Sequence, residues 1–262
     1  MNLQILSSSR YKILSGSALK LIAIAAMLSG HITKFYFNHF TWVKATWPTA
    51  TWFTIAGKAI SFHQLLLMFG KFAFPLFAFM LIIGFEKTHD RKKYGIRLFI
   101  LALISEIPFD LMTSRVWFNP EHNNVIITLF MGFLALCCLE YFKKNRIISF
   151  LIVLGLLFAS RYMNADFRSG GFLFILLIYG LRKEKILQCI IPPVLLPMKA
   201  MVFLSLLLTM FYNGKRGFIK TPFLKYFFYA FYPLHMLVIY LLAKYLWPQI
   251  YFEWTRQPKY LI

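Results

Sequence analysis

Nine apolar runs, separated by short polar stretches, limit what this chain can fold into. They lie near residues 18–37, 61–84, 96–113, 124–142, 147–160, 171–181, 186–197, 199–212 and 224–247, with edges set to within several residues. A membrane-crossing helix needs roughly 20 mostly apolar residues, and windows of that kind recur along the chain. Hydrophobic residues make up 60% of the sequence, with 30 Phe, 14 Tyr and 6 Trp among them; soluble domains average about 45–50%. The runs are spread evenly and leave no room for a separate soluble domain. The expected fold is an all-α polytopic integral membrane protein, one domain over residues 1–262, with about nine transmembrane helices and a range of eight to ten. The sixth to eighth runs are short. The stretch IIPPVLLPMK carries Pro192, Pro193 and Pro197, which disfavours a continuous helix there. Broken helices at membrane depth are tolerated only against protein or a cavity.

The formal net charge of +20 does not point to nucleic acid, because the cations fall in short clusters between apolar runs. EKTHDRKKYGIR, KKNR, RKEK and NGKRGFIK occupy alternate loops and belong with Arg10 and Lys12. The intervening loops have fewer cations and more Trp, Tyr and Asn. The positive-inside rule then puts the N-terminus in the cytoplasm and the C-terminus outside. The aromatic residues of the 38–58 loop suit the outer interface. Basic inner loops also suit anionic lipid or a phosphate-bearing substrate. The first run reads as a retained span rather than a cleaved signal peptide, since Lys20 interrupts it and apolar character resumes in FYFNHF. Cys137, Cys138 and Cys189 all lie in apolar runs without metal-ligand spacing, so neither a disulfide framework nor a metal site is expected.

Ionisable residues within membrane segments are expensive and are functional candidates. Lys20 and His31 are eleven residues apart; at about 100° per residue they return to within roughly 20° of one face, separated by about 16 Å along the axis. Lys20 alone reads as a snorkelling side chain. His31, flanked by apolar residues, reads as functional. In LFILALISEIPFDLMTSR, Glu106 and Asp110 share a helical face four residues apart, with Pro108 between them as an expected kink. Such a pair suits an acid/base site, a proton relay or a structural ion-pair cluster. Lys71 lies in an apolar run ahead of Pro75, and Arg161, Asp166 and Arg168 cluster at the outer rim. His235 follows Pro233 in the last run, where a packing role and a functional one are both open. No Ser-His-Asp order, Gly-rich phosphate loop or HExxH motif is present. GSALK, ahead of the first run, is too short a Gly/Ser signal to use.

The blocks LKLIAIAAMLSGHI, GKFAFPLFAFMLIIGFEKTHDRKKYGIRLFILALISEIPFDL, NVIITLFMGFLAL, NGKRG and FYPLHMLVIYLL resemble the TraX family of F-pilin acetylase-like membrane proteins. They occur in the family's order and cover most of the chain, and ALISEIPFDL is the most specific. The resemblance implies an acetyltransferase of the bacterial cytoplasmic membrane that uses acetyl-CoA to modify an amine or hydroxyl, such as a pilin N-terminus or a cell-surface glycan. The family is also similar to wider transmembrane acyltransferases. Those commonly carry a basic residue and a His, with ten residues between, on the first span. Lys20 and His31 fit that spacing, with Lys where Arg is usual. One departure stands out: an Asp often precedes the His, and here the pair is Gly30-His31.

The resemblance assigns His31 as general base, or as a covalent acetyl carrier. Glu106, Asp110 or Asp166 would orient its ring. Arg91, Lys92 and Arg97 would attract acetyl-CoA, and Lys20 would seat its pantetheine or a phosphate. Lys71 or Arg161 would polarise the thioester, and Arg161, Asp166 and His235 would contact the acceptor. Membrane lipid is a further partner; no metal and no nucleic acid are expected. A proton-coupled transporter would need the same buried His and carboxylates, although no pair of matching halves is visible. A non-catalytic assembly factor is the third reading.

Overall fold

The computed structural model describes residues 11–37, 53–55, 58–195 and 200–246. Among them, helix lies within each of the nine apolar runs. The first run forms α1 (Gly16–Ile32), and the second forms α2 (Phe62–Gly70) and α3 (Ala73–Lys87). Then follow α4 (Arg91–Thr113), α5 (Val125–Tyr141), α6 (Arg146–Tyr162) and α7 (Arg168–Gly180). The last three are α8 (Lys185–Leu195), α9 (Ala200–Met210) and α10 (Pro222–Leu241). Short π-helical stretches, Thr33–Phe37 and Leu242–Leu246, extend α1 and α10. A two-stranded antiparallel hairpin of β1 (Phe53–Ile55) and β2 (Lys58–Ile60) precedes α2.

The helix starts follow local sequence. Ser15, Ser61, Asp90, Asn124, Asn145 and Thr221 each accept a backbone N–H from the first turn of the helix they open, relieving donors that have no intrahelical partner. At α2 the cap is reciprocal, with Gln64 reaching back to the Ser61 backbone. Pro108 lies inside α4, which continues through it to Thr113. Pro192 and Pro193 sit in the last turn of α8, which ends at Leu195; Pro197 is outside the described residues, as is most of the aromatic 38–58 loop.

Among the described residues, three helical stretches, Gly16–Phe35, Phe62–Lys87 and Pro222–Tyr245, are long and apolar enough to cross a membrane. The exposed helix faces support a hydrocarbon surrounding. Beyond the cationic first turns of α4, Phe99, Ile100, Leu103, Ile104 and Ile107 are exposed while Leu98, Ala102 and Phe109 are buried, so both faces are largely apolar there. The α8 and α9 helices, of 11 residues each, rise about 16 Å, well short of the ~30 Å hydrocarbon core. They pack on each other, α8 also on α7 and α9 on α3. Gln188 donates to the Ile178 carbonyl at 2.6 Å.

Packing centres on α3, α5 and α7, where Phe85, Phe133 and Phe174 are buried. Small residues set the closest approaches, as lipid-immersed helices require. A Cβ on Gly70 would lie 2.7 Å from Gly30 Cα, so α1 and α2 touch backbone to backbone. Arg182 pairs with Glu86 and Lys87 donates to the Gly214 carbonyl, so the basic turns after α3, α7 and α9 meet at one end of the bundle, and Asn123 bonds Asn164 and Asp166 at the other.

Candidate functional site

The basic end is knitted onto the start of α1. Ser17 Oγ donates to the Arg216 carbonyl at 2.8 Å and accepts from Ile219 N at 3.0 Å, while Gly16 N reaches the Lys215 carbonyl at 2.9 Å. Gly217 makes this fit possible. Its φ is +87°, and a Cβ there would lie 2.5 Å from Ser15 Oγ. The turn brings Arg216 into electrostatic reach of Lys20, and Lys225 approaches both from α10. Arg97 of α4 faces Lys225 and Tyr229, and its buried Nε has no hydrogen-bond partner. Lys20, Arg97, Arg216 and Lys225 form one cationic cluster.

A cavity of about 1040 Å³ runs from that cluster into the bundle between α1, α3, α4 and α10. Its walls are apolar, with Met27, Phe77, Leu101, Leu129 and Phe228 among the lining residues. At the opposite end it reaches His31, Lys34, Lys71 and Asp166. The cavity thus joins a polycationic mouth to an imidazole through an apolar bore.

His31 meets His235 of α10. Its Nδ1 is 2.7 Å from His235 Nε2, and the two rings lie end to end, parallel to within 2°, with centroids 5.0 Å apart. His235 Nδ1 lies 2.8 Å from the Phe231 carbonyl oxygen, one turn earlier on α10. The structure therefore pairs the predicted base with a second histidine, 204 residues away.

Asp166 is the carboxylate of the cavity. It faces His31 and Lys34 electrostatically and lies 3.8 Å from His122 Nε2. Burial pushes its carboxyl up, but the hydrogen bond from His122 and the nearby Lys34 ammonium outweigh that and hold it below the usual carboxylate range. Its backbone is pinned as well. Asp166 N donates to the Asn123 carbonyl at 2.9 Å, and Thr128 Oγ1 donates to the Asp166 carbonyl.

Glu106 and Asp110 are engaged elsewhere. Glu106 Oε2 accepts from the backbone N–H of Asn124 at 3.3 Å and from its side-chain amide. Asp110 Oδ2 accepts from Asn119 N at 2.8 Å. The two carboxylates tie the 114–124 loop to α4, each keeping one buried oxygen without a partner. Neither lines the main cavity.

The remaining sequence candidates divide by position. Lys20, Lys71 and Arg97 line the cavity with His31 and Asp166. Arg91 lies over the Phe85 ring at 4.2 Å and lines a smaller cavity of about 440 Å³ beside the mouth. Lys92 and Arg161 are exposed and line neither. Sequence reasoning missed Arg216, Lys225, Lys34 and His122. NGKRG carried the signal for Arg216, as a basic loop with paired glycines, but nothing in it indicates which cation turns inward. Among the described residues no cluster of His, Cys, Asp or Glu fits a metal ion.

The family model for the TraX protein matches residues 15–243. The chain belongs to the TraX family. That match covers the cationic mouth, the cavity and both histidines. A relative from Dichelobacter nodosus, described as a probable fimbrial assembly protein FimC of serogroup H1, is 24% identical over 251 residues, covering 86% of this chain and 94% of its own. No solved structure matches the TraX chain.

Proposed function

We propose that this TraX protein is a membrane-embedded acetyltransferase that moves an acetyl group from cytosolic acetyl-CoA to an amine or hydroxyl of an acceptor at the outer side. The observation that carries this reading is the single cavity joining four cations at one end to His31 at the other. The phosphates of acetyl-CoA would sit among Lys20, Arg97, Arg216 and Lys225, where charge-assisted hydrogen bonds favour them. The apolar bore suits the pantetheine arm, whose extended length is comparable to the roughly 16 Å of helix rise between Lys20 and His31. An imidazole is suited to move protons near neutral pH.

In the transfer, His31 Nε2 takes the proton from the acceptor N–H or O–H as the acceptor attacks the thioester carbon. The C–S bond then breaks, the leaving thiolate takes that proton from His31 Nε2, and coenzyme A departs as the thiol with His31 neutral again. Lys34 and Lys71, beside His31 along the cavity, would stabilise the developing oxyanion. Glu106 and Asp110 take a structural part here, holding the loop that frames the opposite end.

The basic loops would face the cytoplasm, placing the protein in the bacterial inner membrane with its mouth toward the donor. The fimbrial relative favours a pilin amine over a glycan as acceptor. The deciding assay is thiol release from acetyl-CoA by purified protein in nanodiscs, with envelope extract as acceptor. Acceptor-dependent release that falls at least about 100-fold in His31→Ala, the scale of a lost general base, is the expected result. Absence of both acetyl-CoA binding and thiol release from wild type would overturn the reading and direct attention to proton flux, for which half-buried Glu106 and buried Asp110 are the relevant feature.

A further inference from the structure

We infer that His235 is the positioning residue that fixes the tautomer of His31, taking the part an aspartate would play in a carboxylate–histidine pair. The inference builds on His31 acting at the cavity end, but its geometry stands independently of the acceptor or donor.

The argument starts at a carbonyl. Phe231 O can only accept, so the 2.8 Å contact with His235 Nδ1 requires a proton on that nitrogen. A neutral imidazole has one N–H and one bare nitrogen, so His235 Nε2 is an acceptor. The 2.7 Å contact with His31 Nδ1 then requires His31 to donate. His31 Nδ1 carries the proton, and its Nε2 is left bare. The chain of donors runs from His31 through His235 to the backbone of α10, and its end is fixed by a group that cannot reverse.

This order produces the ring form that a base needs. A ring nitrogen's hydrogen bond determines which nitrogen is free to react. Here the Nδ1 lone pair is unavailable, and the free Nε2 belongs to a ring that lines the cavity. His235 does not line that cavity, so its role runs through His31. The two imidazoles are parallel to within 2°, as an in-plane hydrogen bond between them requires, and His235 stacks on Phe231 at 9°, which holds its plane. Gly30 explains why the helper comes from another helix. A Cβ there would lie 3.1 Å from Gly70 Cα, so a side chain at that position would press α1 away from α2. Glycine keeps the two helices close, and α10 supplies a neutral partner for the ring.

A neutral partner also differs chemically from a carboxylate. It orients the ring and accepts its proton bond without adding a second negative charge beside Asp166.

The test uses full-length protein in nanodiscs, labelled with 15N-histidine. Solid-state NMR identifies the His31 signals by their loss in His31→Ala. Wild type is expected to show His31 with Nδ1 protonated and Nε2 bare. His235→Ala is expected to give a mixed tautomer and a drop in kcat of about 100-fold, with KM for acetyl-CoA unchanged. His235→Gln, whose amide oxygen can replace the acceptor, is expected to restore the tautomer and much of kcat. An Nε2-protonated His31 in wild type, or a tautomer unaltered in His235→Ala, overturns the inference. The wild-type spectrum decides even if the variants fold poorly. Because the spectrum needs no acetyl-CoA, a protein that fails as an acetyltransferase but shows the expected tautomer would overturn the function and leave the positioning intact.

Discussion

Asp166 shows how one loop residue links stability to the site. It lies between α6 and α7, outside both helices, and the contacts of His122 and Lys34 favour its charged form over the effect of burial. A carboxyl held low in the folded protein stabilises the fold at pH values above its unfolded value of about 3.9. That stabilisation disappears as pH falls through the lower folded value. Thermal unfolding followed from pH 7 to pH 3 should therefore show an acid-side fall in Tm. In Asp166→Asn the part of that fall owed to this group should be missing and the neutral-pH Tm lower. Equal acid sensitivity in the two proteins would mean that the neighbouring cations do not stabilise Asp166. The adjoining backbone fits a site held under constraint, since Asn164, Phe167 and Arg168 all have positive φ, a conformation costly for side chains other than glycine. Phe167 also stacks on Phe74 with ring centroids 4.1 Å apart, which helps to offset that cost.

At the scale of helices, the glycines separate by what surrounds them. Gly70→Ala places a methyl 2.7 Å from Gly30 Cα, a backbone atom that cannot swing aside. Overpacking of this kind costs about 1–3 kcal/mol, and here it would also spread α1 from α2 beside His31. Gly155, in the middle of α6, has nothing within 4 Å of an added Cβ; alanine there should gain about 0.5–1 kcal/mol from helix propensity. Unfolding of the two variants in matched detergent should give opposite signs. The same contrast shows how much was legible in the sequence. Run length and apolar content located every described helical region, because hydrocarbon selects on those quantities. The break at Lys71–Phe72 between α2 and α3 was not readable from hydropathy, since both sides of it are apolar. The i,i+4 spacing of Glu106 and Asp110 correctly put them on one face. Their partners, Asn124 and Asn119, come from the following loop and are invisible to helix periodicity. His31 was singled out by its apolar flanks, but its pairing with His235 spans 204 residues, and nothing local encodes a contact at that range. GSALK, too brief to interpret as a string, becomes meaningful only once the 212–219 loop folds onto Ser15 and Ser17.

For the whole molecule, the decisive property is the polarity of the cavity. Lys20, Arg97, Arg216 and Lys225 gather at the end that carries the basic turns, while His31 and Asp166, with Lys34 and Lys71, line the other. A protein built this way should use its donor from one side only. In sealed inside-out membrane vesicles, acetyl-CoA added to the medium should support transfer to a lumenal acceptor. In sealed right-side-out vesicles it should not, until the membrane is permeabilised. The mouth should also show itself in salt dependence, because the attraction between a polyanionic donor and a partly exposed cation cluster is screened over about 10 Å at 0.1 M salt. Arg216→Ala is the informative variant, since its main chain rather than its side chain carries the contacts to Ser17, and the loop should survive. Loss of one charge-assisted hydrogen bond of about 1.5 kcal/mol corresponds to about a tenfold rise in KM for acetyl-CoA. The rise should come with a shallower dependence of KM on salt and with kcat retained, because Arg216 sits at the opposite end of the cavity from His31. A fall in kcat at unchanged KM would instead mean that the basic end does not hold the donor, and that the cations serve the fold or the membrane surface.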